Sequence, residues 1–149
     1  MRPSSLPDFL TPQQRSLHMA RIRGKNTGPE MVVRRKLHSL GYRYRIHVPD
    51  LPGTPDIVFL RRHKIVFVHG CFWHQHPSKR CPLARRPKAR PKYWLPKFSR
   101  NVERDVQQRI KLRRLGWSVL VVWECETSNY PRLEAKLIRF LGAPSRNSE

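Results

Sequence analysis

Two apolar segments separated by a long helix constrain the fold of this chain most strongly. Residues 65–71 (IVFVHGC) predict one strand, and residues 117–125 (WSVLVVWEC) are almost continuously apolar, as is typical of a strand covered on both faces. Residues 95–115 between them have helical spacing. The predicted apolar stripe of that helix is Val102, Val106 and Ile110. A strand, a helix and a strand in this order predict a crossover unit with parallel strands.

The remaining elements follow from capping and periodicity. Thr27 to Glu30 match a capping box that opens a helix over residues 28–40. Residues 42–48 alternate between apolar and basic side chains and predict a half-buried strand, and residues 56–60 predict another. A last helix follows Pro131. The order α-β-β-β-α-β-α predicts an α/β fold with a mixed four-stranded sheet flanked by helices.

The charge of the chain limits what it can bind. Its 149 residues include 31 Lys and Arg against 10 Asp and Glu, a formal net charge of +21. This excess favours a polyanion, and nucleic acid is favoured over a membrane surface because no long basic amphipathic helix is evident. The segment MRPSSLPDFLTPQQ has no apolar core of signal-peptide length. We therefore expect a cytoplasmic, nucleoid-associated protein that does not bind membranes.

The length fits one domain. We expect an N-terminal basic arm at residues 1–26, a single folded domain at residues 27–142 and a frayed tail at residues 143–149.

All three cysteines and one histidine form a candidate zinc site. Cys71, His76 and Cys81 lie within eleven residues, and Cys125 ends the strand that should run parallel to the strand before Cys71. Structural zinc takes four cysteine and histidine ligands in a closed tetrahedron, which this set would supply. The alternative is a group of inert buried thiols.

Four further residues have a functional and an ordinary interpretation. Asp56 opens a strand after a Gly-Thr-Pro turn, where it would either cap its own loop or bind a divalent cation. Glu30 is explained by the capping box, but it would also suit a metal-bound water. His69 ends a strand and His74 lies in a loop, and neutral imidazole is a competent general base near pH 7.

Aromatic residues interrupt the cluster of candidate ligands. Phe72 and Trp73 would ordinarily be core residues, but a zinc clamp on both sides would fix them at a basic surface, where they could stack on bases. Residues 73–93 are rich in Pro, Arg and Lys and predict an exposed basic loop that contacts phosphates, and Trp94 follows it.

Several motifs together resemble the very short patch repair endonucleases, which nick DNA beside a T:G mismatch. The matching stretches are RSLHMARIRGKNTGPE, LPGTPDIVF, VFVHGCFWHQH, NVERD and GWSVLVVWEC, which keep their order over roughly residues 15–127. The resemblance implies a restriction-endonuclease-like core. It also implies a magnesium-dependent, strand-specific endonuclease that acts as a monomer on duplex DNA with a T:G mismatch, with mismatch-repair proteins as candidate further partners.

The same resemblance implies roles for individual residues. Asp56 and the backbone carbonyl of Val68 would bind Mg²⁺, and Zn²⁺ would bind Cys71, His76, Cys81 and Cys125. The catalytic residues would be Asp56, His74 as the base, His69 and Glu30. The DNA contacts would be Phe72, Trp73, Trp94, Asn101 and, in an arm that grips the minor groove, Met19. Asp105 would orient His69 from the second helix.

Two alternatives remain at this point. A zinc-stabilised DNA-binding module without catalysis would explain the charge and the cysteines but would leave Asp56 and His74 without a role. A nickase of the same fold with another specificity would use every residue named above. One departure from the family concerns Cys81, because the four residues 77–80 separate it from His76, whereas relatives often place this ligand two or three residues after the histidine.

Overall fold

The computed structural model of the protein describes residues 26–78, 80–85 and 88–144. Its helices and strands are α1 (Gly28–Ser39), β1 (Arg45–Ile46), β2 (Ile57–Phe59), β3 (Lys64–His69), α2 (Pro91–Arg114), β4 (Ser118–Trp123) and α3 (Tyr130–Leu141), with short 3-10 helices at Pro82–Ala84 and Glu124–Ser128. The predicted element order is confirmed. The predicted arm, apart from Asn26, and residues 145–149 of the predicted tail lie outside the described residues.

The four strands form one mixed sheet in the order β1-β2-β3-β4. β1 and β2 pair antiparallel, as do β2 and β3, whereas β3 and β4 pair parallel with His69 opposite Trp123. The carboxyl ends of β3 and β4 therefore lie at the same edge of the sheet, as the crossover predicted. The start of β2 reaches that edge too, because Ile57 pairs with Val66 near the end of β3.

Both faces of the sheet are covered by helices. On one face, Val66 and Val122 pack with residues of α1 and α3, and the buried cluster there is Val33, Leu37, Tyr42, Ile57, Phe59, Val66, Val122, Leu133, Leu137 and Leu141. On the other face, Ile65 and Phe67 pack against Leu112 of α2. Alternate residues of β3 thus face opposite helical layers. The same alternation continues into the polar residues at the end of the strand.

The predicted strand at residues 42–48 is shorter in the structure, since only Arg45 and Ile46 pair with β2. The Tyr42 hydroxyl instead donates a hydrogen bond to the carbonyl of Gly142, after α3. At the other end, His47 adopts a left-handed backbone with φ of 49°, which ends the strand.

The predicted apolar stripe of α2 is wrong. Val102 and Val106 are 39% and 37% exposed, while the residues that α2 buries are Phe98, Asn101 and Leu112. The middle of this helix faces the polar edge of the sheet rather than the core. Its buried face is therefore partly polar, so apolar periodicity could not identify it.

Within the described part of the chain, no helix combines the length and apolar character that crossing a bilayer requires.

Candidate active site

The start of β2 and the end of β3 are joined by a side chain. The Asp56 carboxylate accepts a hydrogen bond of 2.8 Å from the backbone N–H of Val68 through Oδ2. The antiparallel register brings these two positions together at the sheet edge where the polar residues collect. Asp56 is thus held by the strand that carries His69.

A cavity of about 280 Å³ opens at this edge. The ends of β2 and β3, the start of α1 and the middle of α2 all contribute to its wall. Its lining includes all four predicted catalytic residues, namely Glu30, Asp56, His69 and His74, together with Thr27, His47, Gly53, Thr54, Phe67, Val68, Gly70, Trp73, Asp105 and Gln108.

On one side of the cavity lies a group of two carboxylates and an imidazole. Glu30, His47 and Asp56 each offer one donor atom, and the three atoms lie within 4.8 Å of one another. Glu30 is 2% exposed. Its Oε1 accepts from the backbone N–H of Asn26 at 3.2 Å, and its Oε2 lies 2.7 Å from Nε2 of His47. Glu30 therefore serves both the helix terminus and the cavity.

The charge state of Asp56 depends on this surrounding. Burial raises the pKa of the Asp56 carboxyl to about 6, and the neighbouring Glu30 carboxylate raises it further, while the hydrogen bond from Val68 acts in the opposite direction. A nearby cation would favour the ionised carboxylate. A cation bound in this cavity would therefore lower the pKa of Asp56 and offset its repulsion from Glu30.

On the other side of the cavity lie two stacked histidines. The rings of His69 and His74 are 3.9 Å apart and nearly parallel. Burial lowers the pKa of His69 to about 3, with His74 contributing in the same direction. His69, 4% exposed, is therefore neutral near pH 7. Its buried Nδ1 has no hydrogen-bond partner in the structure.

Asp105 contacts a different histidine from the one predicted. Its Oδ2 lies 2.5 Å from Nδ1 of His74, whereas Nδ1 of His69 has no hydrogen-bond partner. Asp105 is one helical turn after Asn101 on the polar face of α2. The structure thus pairs the predicted base with a carboxylate, which would keep the proton on Nδ1 and leave Nε2 as an acceptor.

The four candidate zinc ligands converge behind this edge. The ligand atoms of Cys71, His76, Cys81 and Cys125 lie within 4.8 Å of one another. Nδ1 of His76 is 3.7 Å from Sγ of Cys71 and 3.5 Å from Sγ of Cys125. A tetrahedral ion with bonds of about 2.3 Å to sulfur and about 2.0 Å to nitrogen would separate such atoms by roughly 3.5 Å. The donor set fits zinc in type, number and spacing, and Cys81 belongs to it despite the longer loop.

Backbone contacts prepare this cluster. The N–H of Cys125 donates to Sγ of Cys71 at 3.4 Å, and Glu124 accepts from the N–H of Cys71 at 3.3 Å. Burial raises the pKa of the Cys71 thiol. For Cys81, burial is outweighed by hydrogen bonds from Cys71 and from the backbone of the adjacent 3-10 helix, so its pKa is lowered. Cys81 is accordingly the more readily ionised of these two ligands.

One tryptophan separates the cysteine cluster from the catalytic edge. The Trp123 ring stacks on His76 at 4.4 Å and meets His69 edge-on at 5.3 Å. Trp123 pairs with His69 in the parallel register of β3 and β4. The two groups of candidate ligands therefore share one aromatic wall.

The predicted DNA-binding aromatics form a cluster beside the cavity. Phe72 lies 5.0 Å from Trp73 and 5.4 Å from Trp94, with Phe98 beneath them. Asn101, 5% exposed, donates from Nδ2 to the carbonyl of Trp73 at 3.0 Å. Asn101 therefore holds the turn that carries Phe72 and Trp73, and the Trp73 side chain is itself only 9% exposed. Met19 lies outside the described residues.

Sequence reasoning missed several residues of the cavity, among them His47 and Gln108. His47 appeared to belong to the basic face of a strand, and only its left-handed backbone explains its place in the cavity. Gln108 packs over Gly53, where an added Cβ would lie 2.8 Å from Oε1 of Gln108. The signal available for His47 was its position two residues before a Pro-Asp-Leu-Pro-Gly turn.

Comparison with known proteins gives a consistent result. Residues 7–80 match the family described as DNA mismatch endonuclease Vsr. The type II nicking enzyme V.XorIIP of Xanthomonas oryzae pv. oryzae is 49% identical over 136 residues, covering 91% of this chain and 98% of that protein. The type II nicking enzyme V.NmeAIP of Neisseria meningitidis serogroup A is 38% identical over 136 residues, which span 91% and 95% of the two chains.

A third relative has the family name itself. The DNA mismatch endonuclease Vsr of Escherichia coli K12 is 40% identical over 111 residues, which cover 74% of this chain and 69% of that protein. The family match and these identities show that the chain belongs to the Vsr family of DNA endonucleases.

Proposed function

We propose that the protein nicks one strand of duplex DNA beside a T:G mismatch in a magnesium-dependent reaction. The observation that carries this proposal is the cavity in which Asp56 and Glu30 face the His74–Asp105 pair. The names of the relatives support a nicking or mismatch endonuclease. The fold would be the restriction-endonuclease-like core, in a single domain at residues 27–142 with a DNA-gripping arm before it.

Asp56 and the carbonyl of Val68 would hold the divalent cation. In an extended strand the N–H and C=O of one residue face the same side, so the Val68 carbonyl faces the side on which its N–H meets Asp56. The cation supplies positive charge to the scissile phosphate and lowers the pKa of water. Burial and the neighbouring Glu30 carboxylate disfavour the ionised form of Asp56, and the positive charge of a cation would stabilise it.

His74 would act as the general base. Asp105 holds the proton on Nδ1 of His74, so Nε2 accepts a proton from the attacking water. The water oxygen forms a bond to phosphorus as the bond to the leaving oxygen breaks, and the leaving oxygen takes up a proton from solvent. The Asp105 carboxylate stabilises the imidazolium that results. The exposed position of His74 relative to His69 allows the proton to leave afterwards.

His69 would position the reactants rather than carry a proton. Its pKa of about 3 keeps the ring neutral, and its unpartnered Nδ1 is a buried polar atom that a water or phosphate oxygen would satisfy. Glu30 would orient water from the opposite side of the cavity.

The aromatic cluster would recognise the mismatch. Phe72, Trp73 and Trp94 form a rigid group, and Lys97 lies 6.0 Å above the Trp73 ring. Inserting such a group between base pairs costs unstacking energy, which a weakened wobble pair reduces. The net charge of +21 would supply phosphate contacts, with Asn101 and Met19 as further DNA contacts. Such a protein would act in the cytoplasm on nucleoid DNA, as a monomer, alongside mismatch-repair proteins.

The cysteine cluster would hold one structural zinc. The distances among Cys71, His76 and Cys125 suit a tetrahedral ion. Zinc there would fix the turn at Phe72–His74 from behind, so the metal would support the aromatic cluster and the base without touching DNA.

A nicking assay tests the proposal. The full-length protein, with Mg²⁺, is given duplexes that differ only in a T:G, T:A or C:G pair. We expect one strand of the T:G duplex to be cut while both paired duplexes stay intact. His74→Ala should slow cutting by about 10²–10⁴-fold, and Asp56→Asn should remove the Mg²⁺-dependent rate.

The matched control is His63→Asn. His63 lies between β2 and β3 at the far end of the sheet and stacks on Trp117. This variant should retain the wild-type rate. Full activity of Asp56→Asn or His74→Ala would contradict the catalytic assignment. Equal cutting of all three duplexes would instead favour the alternative, a nickase whose specificity is not the mismatch.

A further inference from the structure

His47 is the nitrogen donor that lies with the Glu30 and Asp56 carboxylates, whereas His69 and His74 lie with Asp105 on the other side of the cavity. Neither the family match nor the sequence motifs assign His47 a role. Its Nε2 lies 2.7 Å from Oε2 of Glu30, and its side chain is 10% exposed. A donor atom of His47 lies within 4.8 Å of donor atoms of both Glu30 and Asp56. An imidazole is thus placed between the two carboxylates.

The backbone conformation of His47 directs its side chain toward the two carboxylates. Its φ of 49° is left-handed, a conformation that is unfavourable for a non-glycine residue and that recurs at functional sites. Its N–H donates to the carbonyl of Asp56 at 3.2 Å, so the same residue that reaches the carboxylates also ties down the start of β2. A regular strand would instead have continued the alternation that places Arg43 and Arg45 on the basic face.

We propose that His47 is a third donor to the cation of this cavity and raises the affinity of the site for first-row transition ions such as Mn²⁺ more than its affinity for Mg²⁺. Mg²⁺ is bound through oxygen and keeps much of its water. Imidazole nitrogen suits transition ions, most strongly the later ones, and Mn²⁺ is the early member that shares the oxygen ligands of Mg²⁺. An imidazole beside the oxygen donors of Asp56 and Val68 would give a mixed donor set, which an all-oxygen site lacks. The inference rests on the proposed function, because it concerns the same cation site.

The test measures cation binding directly. Mn²⁺ binding to the zinc-loaded, full-length protein is followed by the loss of the free Mn²⁺ electron paramagnetic resonance signal, and Mg²⁺ affinity is obtained by competition. The variant is His47→Asn, since Asn tolerates the left-handed backbone, with His47→Gln as a second variant. His63→Asn is the matched control, because His63 is also a left-handed histidine, with φ of 54°.

We expect His47→Asn to weaken Mn²⁺ binding by about tenfold or more, in the range that loss of even an outer-shell partner costs, while Mg²⁺ affinity changes much less. His63→Asn should change neither. An equal loss of both cations would overturn the proposal and make His47 a residue that only orients Glu30. Unchanged Mn²⁺ affinity in both His47 variants would overturn it as well.

The result is separable from the proposed function. If the wild type nicks the T:G duplex with Mg²⁺ but the His47 variants keep the cation selectivity, His47 is not a donor and the nicking function stands. If Mn²⁺ binds through His47 but no duplex is nicked with either ion, the donor assignment stands and the proposed function fails.

Discussion

The two groups of candidate ligands at the sheet edge differ in whether a substrate could reach them. We call the cysteine cluster the closed group and the residues around the cavity the open group. The cysteine cluster offers four donors that already surround one point, with spacings that leave no room for a substrate. The cavity group offers carboxylates and imidazoles around an open volume of about 280 Å³. The same β3-to-loop segment supplies both, since His69 and His74 serve the cavity while Cys71 and His76 serve the cluster. A closed set suits structure and an open set suits chemistry.

The largest expected effect concerns the closed group. Cys125→Ser should lose bound zinc and several kcal/mol of stability, a part of the roughly 10–16 kcal/mol that structural zinc binding supplies. The measurements are zinc content per chain and thermal unfolding. His38→Asn, at an exposed position of α1, is the control and should retain both. Unchanged zinc content in Cys125→Ser would remove this ligand from the site.

The next largest effect concerns the open group, where Asp105→Asn should slow nicking without unfolding the protein. Asp105→Asn would offer an amide N–H to Nδ1 of His74, which moves the imidazole proton to Nε2 and removes the acceptor. We expect the single-turnover nicking rate to fall by about 10²-fold or more, with DNA affinity and melting temperature nearly unchanged. Glu103→Gln, on the exposed face of the same helix, is the matched control. A loss of less than threefold in Asp105→Asn would separate Asp105 from catalysis.

The smallest expected effect is a gain of stability. The pKa of Asp56 is raised from 3.8 to about 6 in the folded protein, so ionised Asp56 destabilises the fold. This penalty is complete above about pH 6, shrinks as the pH falls through 6, and vanishes below about pH 4. Without Mg²⁺, Asp56→Asn should therefore be more stable than the wild type at pH 8, by up to about 3 kcal/mol, and by less at pH 5.

Urea unfolding at the two pH values measures this difference. Asn can still accept the hydrogen bond from Val68, so the variant keeps that contact. The exposed residue Asp50 supplies the control Asp50→Asn. A variant at position 56 that is less stable than the wild type at pH 8 would show that the ionised carboxylate stabilises the fold without any cation.

The closed group was more predictable from the sequence than the open one. Cysteines have few roles in a chain of this kind, and the parallel crossover already brings Cys71 and Cys125 to one edge. The strand order could be predicted because apolar alternation and the crossover constrain it strongly.

The open group depends on contacts that no local pattern encodes. The partner of Asp105 depends on how α2 rotates against the sheet, and the apolar stripe suggested the wrong rotation because the buried face includes Asn101. The position of the His47 side chain depends on the left-handed backbone that His47 itself adopts at the end of a strand. Such features arise where tertiary contacts override propensity, which is where functional sites tend to lie.

The indole of Trp123 touches a ring from each group, stacking on His76 and meeting His69 edge-on. If zinc filled the cysteine cluster in only part of the molecules, the packing around the buried His69 ring, a proposed active-site residue, would loosen in the others. The specific activity of a purified sample should therefore track its zinc stoichiometry, although the proposed mechanism assigns no step to a cysteine. Enzyme preparations with different histories could then differ in rate while their sequence and concentration are identical.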